Sequence, residues 1–213
     1  MDRSRLGLTL GQRFARLVTN AVVRLPAAWL LFRGPFRRQF DQLAPSWEGR
    51  RRPDSLVPFE RGLEAVRGQP RRVLDLGTGT GIGARIVAER FHDAQVVGVD
   101  LAGEMVAEAQ RVTPAELRDR VRYEVADAAR LPFEDGAFDL VTLANMIPFF
   151  NELARVVAPG GTVVVAFSAG AGTPIYVSSE RLRRELGRRG FGDFEELGAA
   201  RGIALLARKL ESD

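Results

Sequence analysis

The sequence VLDLGTGTGIGARI, residues 73–86, places four glycines between an apolar run and a segment of helical pattern. The run VLDL is typical of a buried strand, and residues 82–91 are predicted to form a helix. Glycine lets a backbone turn sharply and approach a ligand closely. We therefore predict a strand, a ligand-binding loop and a helix in this order; the alternative is a tight turn that binds nothing.

From residue 71 onward, apolar runs alternate with segments of helical spacing. This alternation predicts a parallel, doubly wound sheet that helices cover on both faces, because parallel strands need crossover connections. The final segment, residues 194–209, is predicted to be an antiparallel hairpin around Arg201-Gly202. Further strands are predicted at 94–100, 120–127, 138–144 and 162–168, and further helices at 103–112, 152–157 and 179–190.

The composition excludes several kinds of site. The chain has 213 residues, no cysteine and one histidine, His92, so disulfides, thiolate nucleophiles and Cys-ligated metals are excluded and no metal site is expected. The longest apolar run near the N-terminus, residues 25–32, is too short to span a bilayer, which needs about 20 residues. No small-residue cleavage site follows a single hydrophobic run, which argues against a signal peptide. We expect a cytoplasmic protein.

The charge is unevenly distributed along the chain. Residues 1–72 contain 15 basic and 6 acidic residues, a balance of +9, whereas residues 73–213 contain 16 and 21, a balance of −5. The charged segment EGRRRPDS, residues 48–55, is the clearest boundary. We therefore predict a basic helical segment over residues 1–52 and a larger, ligand-binding domain over residues 53–213.

Two short helices are predicted within the N-terminal segment. Apolar residues recur at helical spacing over residues 14–25, with arginines mostly on the opposite side. Pro26 suits the first turn of a second helix, and Gly34-Pro35 is predicted to end it. The stretch over residues 14–32 has three interpretations: a lid on the larger domain, a helix on a membrane surface, or a nucleic-acid-binding arm. The arm has the least support, because no recognition motif accompanies it.

A dinucleotide-binding fold is the first alternative for the glycine loop. The fingerprint G-x-G-x-x-G would need a third glycine at Ile82 if it began at Gly77, and at Ala84 if it began at Gly79. Asp75 would also place a negative charge where a pyrophosphate should lie, whereas the same charge would stabilise a cationic ligand. The loop therefore favours a cationic ligand over a phosphate.

Five ordered motifs resemble those of the class I S-adenosylmethionine-dependent methyltransferases. DLGTGTG, residues 75–81, resembles motif I of that family, and VVGVD ends in Asp100, where the family has an acid. LAGEMVAEAQ resembles the segment that follows this acid, although Gly103 replaces the usual serine. VADAARLPFEDGAFDLV and ELARVVAPGGTVVVAF resemble the remaining motifs. The resemblance covers residues 71–167.

The resemblance implies a seven-stranded Rossmann-like sheet, an N-terminal helical lid and S-adenosylmethionine as the cofactor. It implies that the glycine loop and Asp75 hold the methionine portion, that Asp100 binds the ribose hydroxyls and that Asp127 contacts the adenine. For the last two acids, the capping of a following helix or turn is the alternative. The cofactor-binding residues predicted in this way are Asp75, Gly77, Thr78, Gly79, Gly81, Asp100, Leu101, Met105, Asp127, Ala128 and Asn145.

The acceptor substrate is expected beyond the carboxyl ends of the fourth and fifth strands, where ligands lie in open α/β sheets. ANMIPFF, residues 144–150, is similar to the Asn-Pro-Pro-Tyr signature of base methyltransferases, but two residues separate Asn145 from Pro148, where one or none is usual. It aligns better with the small-molecule branch of the family. Pro148 and Phe149 then favour an apolar acceptor; a packed strand-to-helix corner is the alternative.

Few side chains could act as catalytic groups. Tyr176 is the only tyrosine expected near the acceptor, and we predict Tyr176 and Asn145 as catalytic or orienting groups. FRRQFDQLAPSWE, residues 36–48, is similar to the family's N-terminal element that closes over the cofactor, and packing is the alternative for its Trp47. The predicted substrate-binding residues are Trp47, Pro148, Phe149 and Tyr176.

We therefore predict a methyltransferase that transfers a methyl group from S-adenosylmethionine to a small, apolar acceptor. The alternatives are a membrane-surface methyltransferase that acts on a lipid or quinone, and a non-catalytic module that only binds the cofactor. Nucleic acid is not expected as a partner, and a peripheral membrane contact through the N-terminal segment is the alternative to a lid. The sequence leaves the oligomeric state open.

Overall fold

The structure is a computed structural model that describes residues 10–211, so residues 1–9 of the predicted N-terminal segment lie outside the described part. Within residues 10–211, seven strands form one sheet in the order β3-β2-β1-β4-β5-β7-β6. The strands are β1 (Arg72–Leu76), β2 (Gln95–Asp100), β3 (Val121–Val125), β4 (Phe138–Ala144), β5 (Val157–Phe167), β6 (Phe191–Ala199) and β7 (Gly202–Lys209).

The first five strands run parallel, and the last two form an antiparallel hairpin. β1 pairs with β2 and β4, β2 with β3 and β4 with β5, all in parallel, whereas β7 is antiparallel to both of its neighbours. The central strands β1 and β4 are almost wholly buried because helices cover both faces of the sheet. The predicted fold class is therefore confirmed.

Helices lie on both faces of this sheet. Side chains of α3, α4 and α5 pack on one face, and side chains of α1, α2, α6 and α7 belong to the cluster on the other. No helix in residues 10–211 is long and apolar enough to cross a membrane. The helices are α1 (Leu10–Arg24), α2 (Trp29–Leu43), α3 (Val57–Glu64), α4 (Ile82–Arg90), α5 (Gly103–Val112), α6 (Phe150–Val156) and α7 (Ser179–Gly187).

The prediction that Gly34-Pro35 ends the second helix is wrong. α2 continues through Pro35 to Leu43, after a short 3₁₀ turn that begins at Pro26. A proline inside a helix costs about 3 kcal/mol, because its ring clashes and its backbone donor is missing. Continuing the helix keeps Trp29 and Phe36 on one face, where both are buried and their ring centroids lie 5.6 Å apart. Burial of these two rings offsets the cost of the proline.

The strand order places a crevice at one edge of the sheet. β1 lies between β2 and β4, so the chain leaves β1 toward β2 and later returns to the other side of β1 to form β4. In open α/β sheets, ligands bind at this reversal, beyond the carboxyl ends of the strands. The predicted site residues after β1, β2, β3 and β4 all follow carboxyl ends at this edge.

Candidate active site

The glycine loop, residues 77–81, joins β1 to α4 at this edge of the sheet. Gly77 and Gly81 have positive φ angles of 66° and 80°. A Cβ on Gly77 would lie 2.7 Å from the Sδ atom of Met146, and one on Gly81 would lie 2.5 Å from the hydroxyl of Tyr123. Both the backbone conformation and the close neighbours therefore require glycine at these two positions.

Asp75 lies beneath the loop and is only 2% exposed. Its carboxylate accepts hydrogen bonds of 2.7 Å from the hydroxyls of Thr78, in the loop, and Thr142, on β4. Burial raises the pKa of Asp75 from 3.8 to about 6, although both hydrogen bonds lower it. The buried acid thus fastens the loop to the sheet, and its contact with a ligand stays a prediction.

Asp100, at the end of β2, reaches the same loop. Its carboxylate accepts 2.9 Å hydrogen bonds from the backbone amides of Gly79 and Ala102, one on each oxygen. Burial raises its pKa, and the negative charge of Asp41 adds to this rise against the lowering effect of the backbone bonds. A carboxylate can accept about four hydrogen bonds, so both oxygens keep capacity for further donors such as a pair of hydroxyl groups.

The two residues predicted next to Asp100 differ in their surroundings. Met105 is fully buried and clusters with Ala44 and Ala102, so it anchors the segment after α2 against α5. Leu101 is half-buried and packs against the main core cluster. Met105 therefore supports the site from beneath, and Leu101 borders it.

Asp127, after β3, is bound by side chains of α2. Its Oδ1 atom accepts hydrogen bonds from the Trp29 indole at 2.8 Å and from the Ala129 amide at 2.9 Å. Arg33 lies 3.8 Å from its Oδ2 atom. The neighbouring Ala128 is buried. The acid predicted to contact adenine is thus also a contact point for α2.

Asn145 fixes the geometry where β4 ends. Its backbone has a positive φ of 54°. Its backbone N–H donates a 2.9 Å hydrogen bond to the Ala166 carbonyl, and its side-chain Oδ1 atom accepts a 2.9 Å hydrogen bond from the backbone N–H of Ser168. Asparagine is among the non-glycine residues that tolerate this conformation best. The side chain therefore joins the ends of β4 and β5, and its predicted catalytic role is untested.

The other residues predicted on the acceptor side are mostly packed. Pro148 and Phe149 are buried, and the Phe149 ring lies edge-on to Trp29 with centroids 5.3 Å apart. Tyr176 is half-buried and packs edge-on to Phe167, at the end of β5, with centroids 5.1 Å apart. These side chains make the edge of the sheet apolar.

Trp47 lies on the cofactor side. Its ring packs on Phe40 with centroids 5.5 Å apart, and a Cβ on Gly79 would lie 3.6 Å from its indole nitrogen. The next residue, Glu48, accepts a short hydrogen bond from the hydroxyl of Thr80 in the loop. The segment after α2 therefore closes over the glycine loop, and the predicted substrate contact of Trp47 is untested.

Sequence reasoning did not identify Trp29 and Glu48 as site residues. Trp29 contacts both Asp127 and Phe149, so one side chain joins the predicted cofactor side to the predicted acceptor side. The only signal for it was a large aromatic residue inside a basic, amphipathic segment. Glu48 had no signal, because its partner Thr80 lies 32 residues along the chain.

Metal ligands are not grouped at this site. Within residues 10–211, no three acidic or histidine side chains lie close enough together to hold a metal ion. The groups that the structure brings together at this edge are backbone amides, carboxylates, hydroxyls and aromatic rings.

Known proteins resemble this chain over the residues that contain the glycine loop and the motifs that follow it. Residues 73–161 match the family model described as a methyltransferase domain. A demethylmenaquinone methyltransferase of Thermus thermophilus is 49% identical over 109 residues, which cover 47% of this chain and 49% of that protein. A chloroplastic tocopherol O-methyltransferase of Arabidopsis thaliana is 35% identical over 103 residues, 45% of this chain and 29% of that protein. The chain thus spans half or less of the length of these two relatives.

The fold has a solved counterpart over most of the chain. A chain in the complex between the Haloferax volcanii Trm112 methyltransferase activator and a methyltransferase superposes with a TM-score of 0.69. The match covers 81% of this chain and 98% of that one at 19% sequence identity, so it establishes likeness of fold alone.

Proposed function

The chain carries a class I S-adenosylmethionine-dependent methyltransferase domain, and on this premise we propose that it transfers a methyl group from S-adenosylmethionine to a small, apolar acceptor. The observation that carries the proposal is the position of Asp100. Its carboxylate is held at the glycine loop by the amides of Gly79 and Ala102, and both oxygens retain acceptor capacity. Each hydroxyl of a ribose diol could donate a hydrogen bond to one of these oxygens.

The protein's own groups would bind and orient the two substrates. Bound S-adenosylmethionine supplies a methyl group on a positively charged sulfur. The glycine loop would hold the methionine portion and Asp100 the ribose, while Asp127 would accept from the adenine. Methyl transfer would break the carbon–sulfur bond, release S-adenosylhomocysteine and depend largely on proximity and alignment, so an acceptor that has already lost its proton to water would need no general base. Asn145 and Tyr176 would then orient the acceptor.

The acceptor that fits best is lipid-soluble. Pro148 and Phe149 are buried, the Phe149 ring packs on Trp29, and both residues are apolar rather than hydrogen-bonding. The two relatives described above are named for a demethylated menaquinone and for tocopherol, both apolar ring compounds. We propose a quinone-like or other lipid acceptor, and with it a peripheral contact of the N-terminal segment with a membrane.

Calorimetric titration with S-adenosylmethionine and S-adenosylhomocysteine tests the cofactor site. Asp100→Asn keeps the shape of the side chain but removes its charge. We expect the affinities for both ligands to fall about 10- to 100-fold, because hydrogen bonds to a charged group contribute a free energy of this size to binding. Asp93→Asn is the matched control, because Asp93 is exposed at the opposite end of β2. NADH should not bind to any of the three proteins.

Turnover is tested by transfer of labelled methyl groups to a reduced demethylated naphthoquinone in detergent. Label in the organic phase, lost in Asp100→Asn, would support the proposed reaction. Adenosyl ligands that bind without turnover on this or any other lipid-soluble acceptor would favour the non-catalytic module instead. If Asp100→Asn binds both ligands as tightly as the unaltered protein, the proposed cofactor site is wrong.

A further inference from the structure

The junction of α1 and α2 exposes a group of apolar side chains that the fold does not bury. Leu25, Leu30 and Leu31 are 62%, 66% and 76% exposed, and Pro26 and Ala27 between them are exposed as well. We name these five residues the apolar tip. Five exposed apolar residues within seven positions of the chain are a candidate interaction site, because exposed apolar side chains that are grouped mark such sites more often than single ones do.

The burial pattern of α2 separates the tip from the core. Trp29 and Phe36 are 3% and 7% exposed and face the domain, whereas Leu30 and Leu31 face outward. Polar residues at these two positions would leave the inward face unchanged. Most of each leucine therefore remains accessible to solvent.

The charged residues near the tip in the sequence are mostly arginines, so this part of the chain is positively charged. Residues 10–43 contain six arginines and a single acid, Asp41. Arg24 precedes the tip directly, whereas Arg33, two residues after Leu31, lies 3.8 Å from the carboxylate of Asp127. Arg37 and Arg38 follow Leu30 and Leu31 by seven residues, which is two helical turns on the same face of α2, and both are exposed.

This combination fits one partner in particular. Leucines that can enter the boundary between headgroups and acyl chains, flanked by arginines that can contact negative headgroups, are the features of a peripheral helix on an anionic bilayer. We propose that the apolar tip, with Arg24, Arg37 and Arg38, docks the protein on an anionic membrane surface. A nucleic acid would not bury the leucines, and a second copy of the chain would bring the same arginines together.

The tip adjoins the candidate site through Trp29. Trp29 lies next to Leu30 in the chain, and its ring contacts Phe149 and Asp127 on the other side. A lipid acceptor would therefore reach the apolar residues of the site from the membrane side of α2. This use of the docking surface rests on the proposed function; the docking itself does not.

Vesicle flotation of the full chain tests the proposal. We expect binding to vesicles of phosphatidylcholine with phosphatidylglycerol, little binding to phosphatidylcholine alone, and release by high salt. Leu30→Ser combined with Leu31→Ser should lower the partition coefficient between vesicles and water by about tenfold or more, because each methylene that enters the bilayer strengthens membrane binding. Arg37→Gln and Arg38→Gln should each lower it by about fivefold. Leu210→Ser is the matched control, because Leu210 is 50% exposed and lies at the end of the chain's last strand.

Equal partition of the double leucine variant and the unaltered protein would overturn the proposal, as would equal binding to both kinds of vesicle. A dimer in solution that the leucine variant dissociates would overturn it in favour of a second copy. Titration of the same proteins with S-adenosylmethionine separates the two proposals: vesicle binding without cofactor binding supports the docking and refutes the methyltransferase function. Cofactor binding without vesicle binding overturns the docking alone.

Discussion

Asp75 and Asp100 both have a raised pKa, but their surroundings give them different tasks. Asp75 is buried between two threonine hydroxyls that belong to the loop and to β4, so its hydrogen bonds stay inside the fold. Asp100 is held by backbone amides at the edge of the loop. Asp75 therefore positions the loop, whereas Asp100 keeps acceptor capacity at its edge, and contact of either acid with the cofactor stays a prediction.

Asp75→Asn should remove a defined part of the pH dependence of stability. The pKa of Asp75 is about 6 in the folded protein against 3.8 for the unfolded chain, so the folded state binds the proton more tightly. The stability that this group contributes is complete below 3.8 and is lost as the pH rises through 6. Relative to the variant, the unaltered protein should lose up to about 3 kcal/mol of unfolding free energy over this range. Urea unfolding at a series of pH values measures the difference.

Asp139→Asn is the control of opposite sign. Although burial raises the pKa of Asp139, hydrogen bonds from the side chain and amide of Arg72 and the amide of Arg71 lower it below its usual value. The stability contributed by Asp139 is therefore present above its unfolded pKa and lost as the pH falls. A difference curve for Asp75→Asn that is flat, or that slopes as Asp139→Asn does, would contradict the burial argument.

At the scale of elements, the helices and strands that local sequence pattern determines could be predicted, whereas those that tertiary packing determines could not. The strands and helices after residue 71 could be predicted because buried parallel strands are short apolar runs, and because glycines mark the loop between β1 and α4. The path of α2 through Pro35 could not, because the burial of Trp29 and Phe36 outweighs a local rule. The bond between Trp29 and Asp127 joins residues 98 apart, and no local pattern encodes such a pair.

Trp29→Phe should loosen α2 while the fold of the sheet stays intact. The change keeps a ring beside Phe149 but removes the indole donor to Asp127. A hydrogen bond to a charged group contributes about 1.5–3 kcal/mol, so the opening of α2 should become easier by this amount. Native-state hydrogen exchange of the α2 amides measures the opening free energy directly.

Trp47→Phe is the matched control for Trp29→Phe. Its ring packs on Phe40 at the other end of α2, so the same chemical change is made without touching Asp127. We expect smaller effects on the first turns of α2 than for Trp29→Phe. Equal exchange rates in these turns for both variants would show that the indole bond to Asp127 does not hold the helix.

At the scale of the whole molecule, the N-terminal helices share a core with the sheet. Ala15, Val18 and Val22 of α1 belong to the same buried cluster as the central strands and α6. Arg16 donates to the carbonyls of residues 171, 173 and 174, and Arg181 donates to the Val23 carbonyl at 2.8 Å. The division at residue 52 was predicted from charge alone, and these contacts favour a single cooperative unit across it.

Val18→Ala decides between one unit and a separately opening segment. Val18 is fully buried in the shared cluster, so deletion of its two methyl groups should destabilise the whole protein by about 1–3 kcal/mol. Leu17→Ala, one residue away and 57% exposed, should change the unfolding free energy by less than about 0.5 kcal/mol.

Urea unfolding followed at the same time by tryptophan fluorescence and far-ultraviolet circular dichroism should give one transition in each variant, shifted only for Val18→Ala. A first transition that carries the fluorescence change but only part of the circular dichroism change, since both tryptophans lie in the N-terminal segment, would mean that α1 and α2 unfold while the sheet remains folded. In that case Val18 would stabilise the closed segment alone.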